Sequence, residues 1–158
     1  TAPGNHQVRL KAVRILSEGQ VTGTPKVDKD IEIQIDYWNL EKDKLWWIGI
    51  HVLNAIGHIL FTNSNVATAS ISSNPAINKK YPIGLLRTKF IIPKLLLNPG
   101  QHSINLYINN DYGSFNILKK SDIISFNVLE SNEIRKNYLG EWIGAIRPIL
   151  RWETIQID

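Results

Sequence analysis

Four histidines, at positions 6, 51, 58 and 102, are the side chains of this 158-residue chain best suited to acid–base or metal chemistry, and their spacing matches no standard ligand pattern. The chain has no cysteine, which excludes a thiolate nucleophile, a thiolate metal site and a disulfide scaffold. The patterns H-E-x-x-H, G-x-S-x-G and G-x-x-x-x-G-K-[ST] are all missing, so this stretch has no zincin helix, no nucleophile elbow and no Walker A loop. His51 and His58 flank one expected hairpin, but surface imidazoles are commoner than zinc ligands, and Asn109-Asn110-Asp111 is a turn before it is a calcium loop. Glycoside hydrolysis needs two carboxyls close together, one with a raised pKa. Glu32, Asp36, Asp111 and Glu153 are expected instead at solvent-facing strand positions or turns. No catalytic residue, no metal and no cofactor is expected.

The aromatic and carboxamide side chains say more, and strands must position them. Ile31 to Tyr37 alternates apolar and polar residues, as a half-buried strand does. Val8, Leu10, Val13 and Ile15 alternate with a phase slip near Ala12, which predicts a β-bulge in a first strand. Leu45 to Leu53 is a third strand, turned by Asn54-Ala55-Ile56-Gly57 into a fourth at His58 to Thr62. Asn63 to Pro82 lacks periodicity and reads as a long loop or ragged edge. Strands are expected at Leu86 to Ile92, at His102 to Asn109 after the turn Asn98-Pro99-Gly100, and, beyond the turn Asn110 to Gly113, at Ile123 to Leu129. A polar connector, Glu130 to Glu141, leads to a last extended segment, Ala145 to Ile157. Pro148 in that segment points to an edge strand or an irregularity. About eight strands and no convincing amphipathic helix predict an all-β fold, an antiparallel immunoglobulin-like β-sandwich. Residues 1–6 read as a linker remnant and 7–158 as the single domain. The opening Thr1-Ala2-Pro3-Gly4-Asn5, with no signal-like segment, suggests a piece of a longer protein.

Alternation also assigns faces. If Trp46, Ile48, Ile50 and Val52 point inward, then Trp47, Gly49, His51 and Leu53 point outward. Likewise Ser103, Asn105, Tyr107 and Asn109, and then Ser125 and Asn127, face out. In an immunoglobulin-like topology these strands are neighbours in one sheet, so their outer faces combine. The result is Trp47, His51, Asn105, Tyr107, Asn109 and Asn127 on one surface, with Gly49 leaving a shallow groove. A pyranose stacks its C–H face on such rings, and carboxamides supply donors and acceptors without the desolvation cost of a charge. The plainer alternative packs Trp47 and Tyr107 beneath the long loop or against a neighbouring subunit. Trp38, Trp142 and Trp152 lie outside the patch and are expected in the core, Trp152 with Ile146 and Leu150 covering either core or an interface.

The excess of 18 Lys and Arg over 14 Asp and Glu is mild and spread along the chain, with no basic stripe, so nucleic acid is not an expected partner. The pairs Lys79-Lys80 and Lys119-Lys120 read as solvated loop residues, with attraction to an acidic polymer as the sharper alternative. No apolar run reaches the roughly 20 residues of a membrane helix.

In order along the chain, Thr22-Gly23 before a strand ending Asp36-Tyr37, Ile48-Gly49-Ile50 followed by Gly57-His58-Ile59-Leu60-Phe61-Thr62-Asn63-Ser64, Ile92-Pro93 with Leu97-Asn98-Pro99-Gly100, and Gly144-Ala145-Ile146-Arg147-Pro148 with Trp152-Glu153 resemble a known family. It is the C-terminal domain of the ATPase subunit of polysaccharide-exporting ABC transporters, of the Wzt type that handles O-antigen chains. His102 stands where the family usually has a tyrosine. The resemblance implies a non-catalytic β-sandwich that binds an O-antigen-type polysaccharide and couples it to export. It further implies a cytoplasmic place at the inner face of the inner membrane, an upstream nucleotide-binding domain and a membrane subunit as partners. Because transporter ATPases work as pairs, it also implies a homodimer, for which the C-terminal edge strand is the candidate contact. The competing readings are a dimerisation domain without ligand and a glycan-modifying hydrolase.

Overall fold

The computed structural model describes residues 2–66, 80–110, 116–135 and 140–157. Eight strands run β1 (Val8–Ser17), β2 (Gln20–Val21), β3 (Ile31–Asn39), β4 (Trp47–Asn54), β5 (Ile59–Ser64), β6 (Gly84–Ile92), β7 (Gly100–Asn109) and β8 (Asn116–Val128), followed by one helical turn, α1 (Asn132–Arg135). They form two antiparallel four-stranded sheets, ordered β2-β1-β3-β6 and β5-β4-β7-β8. The chain changes sheet between β3 and β4, β5 and β6, and β6 and β7, as in the expected immunoglobulin-like sandwich. Segment 23–27 then runs parallel to the end of β8, bonded from Val27 N to Leu129 O and from Leu129 N to Pro25 O.

Alternation explains the core. Ile31, Ile33, Ile35 and Tyr37 of one sheet meet Ile48, Ile50, Val52, Ile104, Leu106 and Ile108 of the other, all buried. The phase slip in β1 is a bulge, with pairing to β3 shifting between Leu10 and Ala12. Trp46 is buried, and its indole N–H donates to Asn39 Oδ1 at 3.0 Å, which satisfies its polar atom. Asn39 Nδ2 in turn donates to the Tyr81 and Pro82 carbonyls and fixes the approach to β6. At the start of β4, Asn65 imitates a paired strand: its Oδ1 accepts from Ile48 N–H and its Nδ2 donates to Trp46 O. His102 is buried against Phe126, and its Nδ1 lies 2.9 Å from the Gly100 carbonyl, so that nitrogen carries the proton; burial lowers its pKa below the ordinary histidine value.

Several expectations are corrected. Leu53 is buried although the unbroken pairing of β4 with β7 keeps it on the outward row; it lies beside the register slip between β4 and β5. The expected strand at Ile123 is the second half of a 13-residue β8. A bulge opposite Asn105, with Asp122 at φ 48°, breaks the period and hides the first half from a sequence reading. The final segment, Ala145 to Ile157, is not a strand: Ile146 bridges to Leu97, and residues 148–157 are unpaired with the sheets. Trp38, Trp142 and Trp152 are not core residues, and Trp152 is 87% exposed. Lys11 and Arg147 lie over the rings of Trp38 and Trp142, which therefore need no apolar burial. Residues 67–79 of the long loop, Lys79 included, and the turn residues Asp111, Tyr112 and Gly113 lie outside the described residues.

Asp36 also departs from its expected solvent-facing role. It sits on the outer face of the first sheet with its side chain only 5% exposed, clamped by Arg87 through Nε at 2.6 Å and the terminal nitrogen at 2.9 Å, and by Arg14 at 2.6 Å. The Arg87 hydrogen bonds, then those of Arg14, hold its carboxyl down at about 2 against the opposing effect of burial. Because the folded pKa is depressed, this stabilisation is full above the unfolded value near 4 and is lost as pH falls towards about 2. Acid titration of thermal stability should show that loss in the native chain. Asp36→Asn should flatten the dependence in that window and cost about 1–2 kcal/mol at neutral pH, since both arginines are partly solvated. An unchanged acid profile in the variant would show that the triad contributes nothing.

Candidate functional site

The antiparallel pairing of β4 with β7 places Trp47 opposite Asn109, Gly49 opposite Tyr107 and His51 opposite Asn105. All five side-chain-bearing residues are half-buried, while their neighbours Ile48, Ile50, Leu106 and Ile108 fill the core. Two strands therefore bring five of the six expected residues onto one stretch of sheet. Asn127 lies apart. It pairs with Gln101, four residues along β7 from Asn105 or roughly 13 Å of strand, and its backbone N–H is bonded to Gly23 of the segment beside β8.

Tyr107 is the centre of the group. Its hydroxyl meets His51 Nδ1 at 3.2 Å, and the two rings lie 4.6 Å apart, tilted by 46°. His51 is the diagonal cross-strand neighbour of Tyr107, a separation of about 7–8 Å along the sheet. A tyrosine standing perpendicular to the sheet would carry its hydroxyl well above Nδ1, so the ring must lean across towards β4. Gly49, directly opposite Tyr107, presents no side chain in that row, and a Cβ there would make only an ordinary 3.9 Å contact with Tyr107 Cβ. With the hydroxyl donating to Nδ1, the Nε2–H of His51 remains a donor for a ligand.

The carboxamides have different freedom. Asn105 Oδ1 accepts the Asp122 backbone N–H at 2.9 Å and so holds the β8 bulge, leaving its Nδ2 as the free end. Asn109 Oδ1 is enclosed without a hydrogen-bond partner. On the far side of β4, Thr62 and Ser64 of β5 pair with His51 and Gly49 and add two hydroxyls to the same face. On the near side, Lys119 of β8 pairs with Tyr107, and its Nζ lies 5.8 Å from the ring centroid. Sequence reasoning missed these three. Period-two reading of β5 would have found Thr62 and Ser64, whereas Lys119 depended on seeing past the bulge in β8.

Elsewhere, a shallow depression of about 450 Å³ is lined by Lys42, Asp43, Lys80, Tyr81, Pro82 and Ile83. Among the described residues no three His, Asp or Glu side chains converge as metal ligands, and no helix is long and apolar enough to cross a membrane. Of the carboxylates weighed for glycoside hydrolysis, Asp36 is held ionised and Glu32 is lowered by the Gln34 hydrogen bond, with Lys89 adding to it, whereas that chemistry needs one carboxyl with a raised pKa; Asp111 lies outside the described residues.

No family model matches the chain, and no curated protein matches its sequence. Among solved structures, one described as the crystal structure of the C-terminal domain of wzt matches with a TM-score of 0.74, over 96% of this chain and 86% of that one, at 15% sequence identity. The resemblance read from the ordered motifs is borne out as a likeness of fold, so this chain is an all-β sandwich similar to that domain.

Proposed function

We propose that this chain is a non-catalytic carbohydrate-binding domain whose ligand is a surface polysaccharide of the O-antigen type, held on the outer face of β4 and β7. The carrying observation is the constellation itself: a tyrosine opposite a glycine and tied to a histidine, with a tryptophan one row away and carboxamides and hydroxyls around it. An aromatic face takes the apolar side of a pyranose, and the surrounding polar groups both donate and accept, as sugar hydroxyls require. The likeness of fold to the wzt C-terminal domain supports the reading. By the same analogy the domain, residues 7–158, follows a nucleotide-binding domain and works with a membrane subunit at the cytoplasmic side of the inner membrane, coupling the glycan to export. Asn127 stays in the proposal as an outlying contact, reached only by a chain that extends along β7.

The chain further acts as a homodimer through its C-terminal segment. Residues 142–147 are anchored: Arg147 N–H donates to Leu96 O, its guanidinium spans both oxygens of Glu130 at 3.0 and 3.1 Å, and Asn98 Nδ2 donates to Gly144 O. Beyond Pro148 the segment carries Ile149, Leu150, Trp152, Ile155 and Ile157, all exposed, five large apolar side chains within nine residues. A second copy is the occupant proposed for it. This surface also favours the second reading, dimerisation with no ligand.

Calorimetric titration with the source organism's own surface polysaccharide is expected to give saturable heat without turnover. Tyr107→Ala and Trp47→Ala should each weaken binding by about 1–3 kcal/mol with the fold intact. Affinity unchanged in both variants would move the site off this face, and no heat from folded protein would leave dimerisation as the role. Light scattering at micromolar concentration should give a dimer mass that falls to monomer when the chain is cut after Arg147. A monomer in the uncut chain would refute the dimer.

A further inference from the structure

The lysine pair Lys119-Lys120, which the sequence alone places in a polar stretch, lies within β8, and Lys119 is registered directly against Tyr107. Its Nζ stands 5.8 Å from the tyrosine ring centroid, on the opposite strand neighbour from His51, so the ring has a cation on its β8 side and an imidazole on its β4 side. The carboxylates in the ion pairs of the described residues, Glu18, Glu32, Asp36, Glu41 and Glu130, are matched with other cations. The acid nearest along β8, Asp122, sits in the bulge opposite Asn105, where its carboxylate accepts a hydrogen bond from Ser103 Oγ at 2.7 Å, one row away from Tyr107. The Tyr107 row therefore presents an exposed ammonium, steadied by the ring beneath it, at the rim of an aromatic platform.

An ammonium in that position costs a neutral glycan something, because stacking a sugar there partly desolvates the charge without pairing it. It favours a glycan that brings an anion to the same place. A net charge of +4 on the chain adds long-range attraction in the same direction. Resting on the carbohydrate-binding reading above, we infer that the glycan recognised on this face is acidic, with a carboxylate or phosphate substituent of the sugar stacked at Tyr107 paired to Lys119. His51 Nε2 and Asn105 Nδ2 face the hydroxyls of the same residue as further hydrogen-bonding groups.

The test uses the native surface polysaccharide of the source organism in three forms: untreated, carboxyl-reduced and dephosphorylated. Calorimetry is expected to show at least about a tenfold loss of affinity for whichever treatment removes the anion, which also separates carboxylate from phosphate. Lys119→Gln should lose a similar factor against the untreated polymer and nothing against the neutralised one, while Lys119→Arg keeps the preference. Raising the salt from about 50 to about 500 mM should weaken only the untreated polymer strongly. Equal affinity for untreated and neutralised polymers, or a native polymer that binds but carries no acidic group, would overturn the inference and leave the carbohydrate-binding reading standing. No binding of the untreated polymer to folded protein would overturn both.

Discussion

The register of β4 against β7 is the constraint on which the candidate site depends. Side chains alternate with a period of two, so a slip of one residue would carry Trp47, His51 and Tyr107 into the core and put Ile48, Ile50 and Leu106 on the surface. Burial of the isoleucine and leucine rows between the sheets therefore fixes which residues can meet a ligand. The same register sets Gly49 opposite Tyr107. Across that register Tyr107 reaches diagonally to His51, and the face becomes a platform with a hydrogen-bonded edge.

The two outer faces of the sandwich are built on different electrostatics. On the first sheet, Asp36 binds two arginines and Glu32 engages Gln34 and Lys89, so charge is spent in internal pairs. On the second sheet, the Tyr107 row holds a single ammonium among neutral groups. Paired charges stabilise modestly and bind little, whereas an ammonium beside an aromatic ring is an available half of a pair. The polar side chains that do carry structure, Asn39, Asn65 and Asn98, hold strand ends and the docked stretch near Arg147 and lie away from this face in role.

Most of the fold was legible because strand alternation is a strong local signal: the bulge near Ala12, the inward rows of β4 and β7, and the pairing of β4, β7 and β8 in one sheet could all be read from residue types. What could not be read depended on partners distant in sequence. The slip between β4 and β5 was hidden, and the bulge at Asp122 concealed half of β8 and with it Lys119. Apolar composition suggested a last strand and core tryptophans, but a strand needs a partner, and the segment after Pro148 finds none among the described residues. The site was legible as a face, from Trp47 to Asn109, and the contact of Tyr107 with His51 was not, since it is a tertiary consequence of the register. Asn127 satisfied the alternation rule and yet lies several rows off, because alternation gives the side of a sheet and not the position along it.

The central claim is that the β4–β7 outer face holds the glycan. Nuclear magnetic resonance of the isotope-labelled chain during titration with the native polysaccharide tests it most directly, following the Trp47 indole N–H, the His51 ring and the amides of Gly49, Tyr107 and Lys119. The account predicts saturable shifts concentrated on those groups, with the Asp36 triad and the Lys42 to Ile83 depression unmoved. Shifts centred on either of those regions, with the Tyr107 row silent, would contradict it.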